Sequence, residues 1–107
     1  MSSANLSGLT NWHSLTISMM EKFPYDLSNR QIAILLTVYL QPAPHTVKNI
    51  AENLKISKPA ICRALDALSE YGLIRRRRVE NDRRQVHIQR TVKGSVFLSE
   101  INDMIKF

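Results

Sequence analysis

The chain has 107 residues, 44% hydrophobic and 22% charged, enough for one soluble globular domain around one core. No apolar run approaches the roughly 18–20 residues that span a bilayer, and the N-terminus lacks a basic segment ahead of an apolar stretch. A single cysteine excludes an internal disulfide framework, so a cytoplasmic location is expected.

The net charge of +6 is unevenly distributed. In residues 1–54, Lys22, Arg30 and Lys48 balance Glu21, Asp26 and Glu52; in 91–107, Lys93 and Lys106 balance Glu100 and Asp103. The whole excess lies in 55–90, where ten Lys and Arg oppose Asp66, Glu70, Glu80 and Asp82. Such a patch suits a polyanion, nucleic acid above all; the plainer alternative is a solvated basic face that aids solubility.

In chain order, residues 5–22 place Leu6, Leu9, Trp12, Leu15, Met19 and Met20 at steps of three and four, the spacing of an amphipathic helix. Gly8 and the Ser and Thr residues weaken its propensity, so it should need a packing partner. Pro24 disfavours helical geometry at Phe23 and ends it. Ser28 and Gln31 have the spacing of a capping box ahead of an apolar helix that stops before Pro42 and Pro44. Thr46 is expected to cap a helix over 47–53, with Lys55 and Ile56 as the turn. Ser57 is expected to cap a helix over 58–71, with Pro59 in its first turn and Gly72 as a left-handed stop. Two helices so closely joined form a helix-turn-helix over 46–72.

In the second of these helices, Ile61, Ala64, Leu65 and Leu68 form the inward stripe. Pro59, Cys62, Arg63, Asp66 and Glu70 fall on the opposite face, with Ala60 and Ala67 as small neighbours of Arg63. Small flanking residues let a helix approach base edges; alternatively, Arg63 pairs with Asp66 on a solvated surface. Strands are expected over 73–79 and 85–90, joined by a turn at Glu80, Asn81, Asp82 and Arg83. Thr91 should cap a last helix reaching about Lys106. The expected architecture is therefore mostly α with a small β-hairpin, a winged helix-turn-helix in one domain: an N-terminal helix at 5–22, the helix-turn-helix at 46–72, a wing at 73–90 and a C-terminal helix at 91–107.

This order of elements, and its wording, resembles the MarR family of bacterial transcriptional regulators over about residues 27–94. The family's wing signature is an Asp, one residue, an Arg, five residues, then Leu-Thr. Here it reads Asp82-Arg83-Arg84, Gln85 to Gln89, then Arg90-Thr91. The stretches NIAENLKISKPAICRALDALSEYGLIRR and TVKG are similar to its helix-turn-helix and post-wing segments. Two departures stand out. Arg90 replaces the usual leucine and is open to use as a phosphate contact, and only 13 residues follow Gly94, where family members carry long C-terminal helices. The resemblance implies binding to double-stranded DNA, with dimerisation expected through the N- and C-terminal helices; the family's dimer geometry and ligand pocket do not carry over.

By resemblance and by facing, Ser57, Lys58, Pro59, Ala60, Cys62 and Arg63 are expected near DNA, with Arg63 reading a base. Arg75 and Arg77 alternate with their neighbours along the strand and face the backbone, while Arg83 and Arg84 reach the minor groove. Asp82 is expected to orient Arg84. His13, His45 and His87 are scattered and carry no metal-ligand spacing, and no phosphate loop or nucleophile arrangement is present, so neither a metal or other cofactor nor catalysis is expected. Cys62 is more simply an inert helical cysteine than a redox switch, and Trp12, Met19 and Met20 are more simply packing residues than an effector groove. Whether a small-molecule effector exists is left open. The rival expectation, from a different class, is a winged helix used as a protein-interaction adaptor or antirepressor.

Overall fold

The computed structural model describes residues 5–105, excepting the side chains of Asp82, Arg83 and Arg84. Its elements are α1 (Ser7–Lys22), α2 (Asn29–Leu40), α3 (Val47–Leu54), α4 (Lys58–Glu70), β1 (Ile74–Val79), β2 (Asp82–Arg90) and α5 (Val92–Met104). The expected five helices and antiparallel hairpin are all present. None of the described helices is long and apolar enough to cross a membrane. The chain divides into two compact units, Leu27–Val96 on one hand and residues 1–26 with 97–107 on the other.

In the Leu27–Val96 unit, side-chain caps set the helix starts. Ser28 Oγ accepts from Gln31 N–H (3.1 Å) while Gln31 Oε1 accepts from Ser28 N–H (3.0 Å), completing the capping box. Thr46 Oγ1 accepts from Asn49 N–H (3.1 Å), and Ser57 Oγ from Ala60 N–H (3.4 Å). Each takes up a donor that the first helical turn would otherwise leave unpaired. Gly72 ends α4 at φ 76°, with Gly72 N–H donating to Ser69 O (2.9 Å) and Leu73 N–H to Leu68 O (3.0 Å). The α3 stop has no glycine: Lys55 itself adopts the left-handed conformation at φ 55°.

The core of this unit joins Ile34, Leu35 and Val38 of α2 to Ile50 of α3 and to Ile61, Ala64, Leu65 and Leu68 of α4. Leu73, Ile74 and Ile88 close it from the hairpin side. The hairpin differs from expectation in two ways. β1 begins at Ile74, and β2 begins at Asp82, so the tip is Glu80-Asn81 alone. Regular pairing runs from Ile74↔Arg90 to Arg78↔Val86, then jumps to Val79↔Asp82, an irregularity that leaves extra β2 residues at the tip. His45, ahead of α3, bridges to β2: Ile88 N–H donates to its carbonyl oxygen (2.8 Å), and its buried ring lies 3.2 Å (Nε2) from Gln41 O.

Tyr39 is the one polar-tipped aromatic of α2, and its hydroxyl ties three segments together. It donates to Leu73 O (2.6 Å) and accepts from Thr91 N–H (3.0 Å). Thr91 in turn donates through Oγ1 to Gly72 O (2.7 Å) and accepts from Gly94 N–H (2.9 Å), the expected cap of α5.

Arg90 turns its guanidinium to the end of α2. Its Nε donates to Val38 O (2.9 Å) and its Nη2 to Gln41 O (3.1 Å), and its guanidinium lies 5.8 Å from the Tyr39 ring centroid. A cation therefore satisfies the last carbonyls of α2, where the helix dipole is negative. Arg90→Met is expected to cost about 1 kcal/mol in urea unfolding, since the hydrogen bonds are charge-assisted but partly exposed.

In the second unit, α1 ends at Lys22 as Phe23 turns extended ahead of Pro24. Phe97 is buried, with Phe23 (4.8 Å between centroids, 85°) and Tyr25 (5.1 Å, 88°) meeting it edge to face. Lys22 Nζ lies 3.6 Å from Glu100 Oε2. No residue of α1 is buried; Leu9, Trp12 (63% exposed), Ile17 and Met20 (76%) leave it a largely open apolar surface.

Candidate nucleic-acid interface

The outward face of α4 carries Lys58, Pro59, Cys62, Arg63 and Asp66, all exposed. Pairing of Arg63 with Asp66, the plainer alternative, does not occur. Asp66 Oδ1 instead accepts from Arg76 Nη2 at 2.5 Å, and Arg63 has no ion-pair partner among the described residues. Ala60, expected on this face, is buried at 6% exposure. It stands four residues before Ala64 and eight before Leu68, which puts it on the inward stripe. Only its main chain is near the outer face, and its N–H is taken by Ser57. Pro59 has no N–H, so the first turn of α4 offers an anion mainly the Lys58 ammonium and main-chain N–H.

Beside this turn, an open cleft of about 650 Å³ separates α3 from the wing. It is lined by Pro44, Thr46, Val47, Lys48 and Asn49, by Lys58 of α4, and by Gln85, Val86 and His87 of β2. Lys48 and Lys58 make it basic.

The four arginines of β1 separate by strand alternation. Arg75 and Arg77 lie on one face, opposite Gln89 and His87 respectively, and Arg75 Nε donates to Gln89 Oε1 (3.1 Å). Arg76 and Arg78 lie on the other, opposite Ile88 and Val86. From there Arg76 reaches α4, where its Nη2 donates to Asp66 and to Cys62 O (3.3 Å). The backbone of Asp82, Arg83 and Arg84 opens β2, but the roles expected of their side chains lie outside the described residues.

The site's inner supports were not visible to local reasoning. Asp66 and Arg76 are ten residues apart on different elements, and nothing in their spacing announces the pair. Gly94 had a faint signal, as a glycine inside the first turn of a helix where propensity disfavours it. No group of three or more His, Cys, Asp or Glu that could hold a metal ion occurs among the described residues.

Comparison with known proteins agrees with this architecture. The HTH-type transcriptional regulator PecS of Dickeya dadantii (strain 3937) is 34% identical over 79 residues, 72% of this chain and 48% of PecS. The chain thus spans about half the length of that curated relative. A MarR-like transcriptional regulator from Thermotoga maritima is 27% identical, with a TM-score of 0.64 over 96% of this chain and 74% of the other. The Staphylococcus aureus MepR–DNA complex shares the fold at a TM-score of 0.80, with 23% identity over 96% of this chain and 82% of MepR. The MarR family model matches residues 27–86, which take in the helix-turn-helix and most of the wing. The chain belongs to the MarR family, a family of transcriptional regulators rather than enzymes.

Proposed function

We propose that the chain is a sequence-specific regulator that binds double-stranded DNA, with α4 in the major groove and the wing in the minor groove. The observation that carries the reading is the outward face of α4. Arg63 stands exposed in mid-helix without an ion-pair partner among the described residues, between Lys58 at the helix start and the basic wing. At about 1.5 Å per residue, this helix spans roughly 20 Å, enough to lie along a major groove. Lys58, Pro59, Cys62 and Arg63 approach the bases or flanking phosphates, with Ser57 at the helix entrance. Arg75 and Arg77 face the backbone from the wing's outer side, and Arg83 and Arg84, with Asp82 as orienting carboxylate, reach the minor groove. MepR was crystallised with DNA, and this chain shares its fold.

In this reading the Leu27–Val96 unit reads DNA, in the cytoplasm and on the nucleoid. The open apolar surface of α1, with α5, supports a homodimer. Selection of bound duplexes from a random pool tests both points. Paired symmetric half-sites about one helical turn apart are expected from a two-fold protein. No retention of any duplex at low salt would overturn the DNA reading in favour of a protein-interaction adaptor.

The wing has its own test. Arg84→Ala is expected to weaken binding and to reduce the log–log salt slope by about one, the loss of a single phosphate-equivalent contact. Unchanged affinity and slope would remove Arg84 from the interface.

A further inference from the structure

We propose that Asp66 holds Arg76 off the duplex, so that one of the four β1 arginines is withheld from the phosphate backbone and used to orient the wing against the recognition helix. The inference rests on the DNA-binding reading above and adds to it a positioning pair.

Three observations carry it. Ile74 and Ile88 are buried on the hairpin face that Arg76 shares, which directs its side chain toward the body of the unit. Along α4 the same Nη2 meets both Asp66 Oδ1 (2.5 Å) and Cys62 O (3.3 Å), a two-point attachment of strand to helix. Finally, Asp66 follows Arg63 by three residues on the outward side of α4, and the pair remains exposed, with side-chain accessibilities of 64% for Asp66 and 36% for Arg76.

Charge explains what the pair does. A bare carboxylate on a helix laid against DNA would repel phosphate, and Arg76 cancels it. Arg76 could turn to a phosphate only by leaving Asp66 uncompensated beside the duplex. It therefore releases no counterion on binding, unlike an arginine with no such partner. Removing the carboxylate frees the guanidinium to add a sequence-independent contact.

The experiment is a salt titration of binding to a random-sequence duplex by fluorescence anisotropy, with wild type, Asp66→Asn, Arg76→Gln and the double variant. Asp66→Asn is expected to bind several-fold more tightly at low salt, with a log–log slope steeper by about 0.9. Arg76→Gln is expected to keep the wild-type slope, and the double variant to return to it. A shallower slope in Arg76→Gln would overturn the proposal, because Arg76 would already touch phosphate. An Asp66→Asn slope equal to wild type would also overturn it. So would a steeper slope that persists in the double variant, since the gain would then come from lost repulsion alone. A wild-type chain that fails to bind duplex at low salt would overturn the DNA reading itself, an outcome distinct from all three.

Discussion

Gly94→Ala is expected to destabilise the Leu27–Val96 unit by about 3 kcal/mol, through overpacking together with a lost hydrogen-bond partner. A Cβ at this position would overlap the Tyr39 hydroxyl and the Leu73 carbonyl oxygen. The carbonyl belongs to a fully buried residue at the α4–β1 junction and cannot retreat without moving the core. The hydroxyl can move only by giving up its bonds to Leu73 O and Thr91 N–H. Overpacking alone costs about 1–3 kcal/mol, and stranding a buried acceptor adds a similar amount. Urea unfolding should register the loss as a lower midpoint at unchanged slope, and thermal melting as a fall of at least about 10 °C. Gly8→Ala is the matched control, because a Cβ there meets nothing within 4 Å. It should be neutral or stabilise by up to about 1 kcal/mol, as expected for alanine replacing glycine in a helix. Tyr39→Phe should cost about 1–2 kcal/mol alone but relieve part of the Gly94→Ala penalty, because it deletes the atom that the new methyl meets. Strict additivity in that double-mutant cycle would show that the two sites do not press on each other.

The knot around Gly94 also marks the boundary between what is legible in the sequence and what is not. Helix starts are written locally: Ser28, Thr46, Ser57 and Thr91 each stand where their hydroxyl meets an N–H three residues on, and all four make that bond. Facing is local too. The 100° step separates exposed Arg63 from buried Ile61 and Leu65, and fails at Ala60 only because that position belongs to the inward Ala60, Ala64, Leu68 line. What escapes such reasoning depends on contacts closed over long separations. Arg90 looks like one more basic residue in a basic stretch, yet the α2 carbonyls that claim it lie about fifty residues earlier. Asp66 looks like the natural partner of Arg63, three residues away, but the strand returning beside α4 delivers Arg76 instead. Two of the ten basic residues in that stretch are thus held by the chain itself, Arg76 by Asp66 and Arg90 by the carbonyls at the end of α2.

That reassignment sharpens the expectation for Arg63. With Asp66 occupied by Arg76, the Arg63 guanidinium is left uncommitted to any described carboxylate, on a helix whose start is fixed by Ser57 and whose end is fixed by Gly72. Arginine suits guanine because its planar fork matches O6 and N7 together, a pairing that a wrong base cannot reproduce. Arg63→Ala should therefore weaken binding to the selected duplex by about 1–3 kcal/mol per half-site and relax the preference at one base position. Binding to random duplex should fall far less. Arg63→Lys separates the two components of the contact. It keeps the positive charge, and with it the random-sequence affinity and salt slope, but loses the fork and hence the discrimination. Parallel titrations of wild type and both variants against the selected duplex, its single-base variants and a random duplex measure this directly. If Arg63→Ala weakens every duplex equally and Arg63→Lys restores them all, Arg63 binds phosphate, and sequence reading passes to other residues of the α4 face or to the wing.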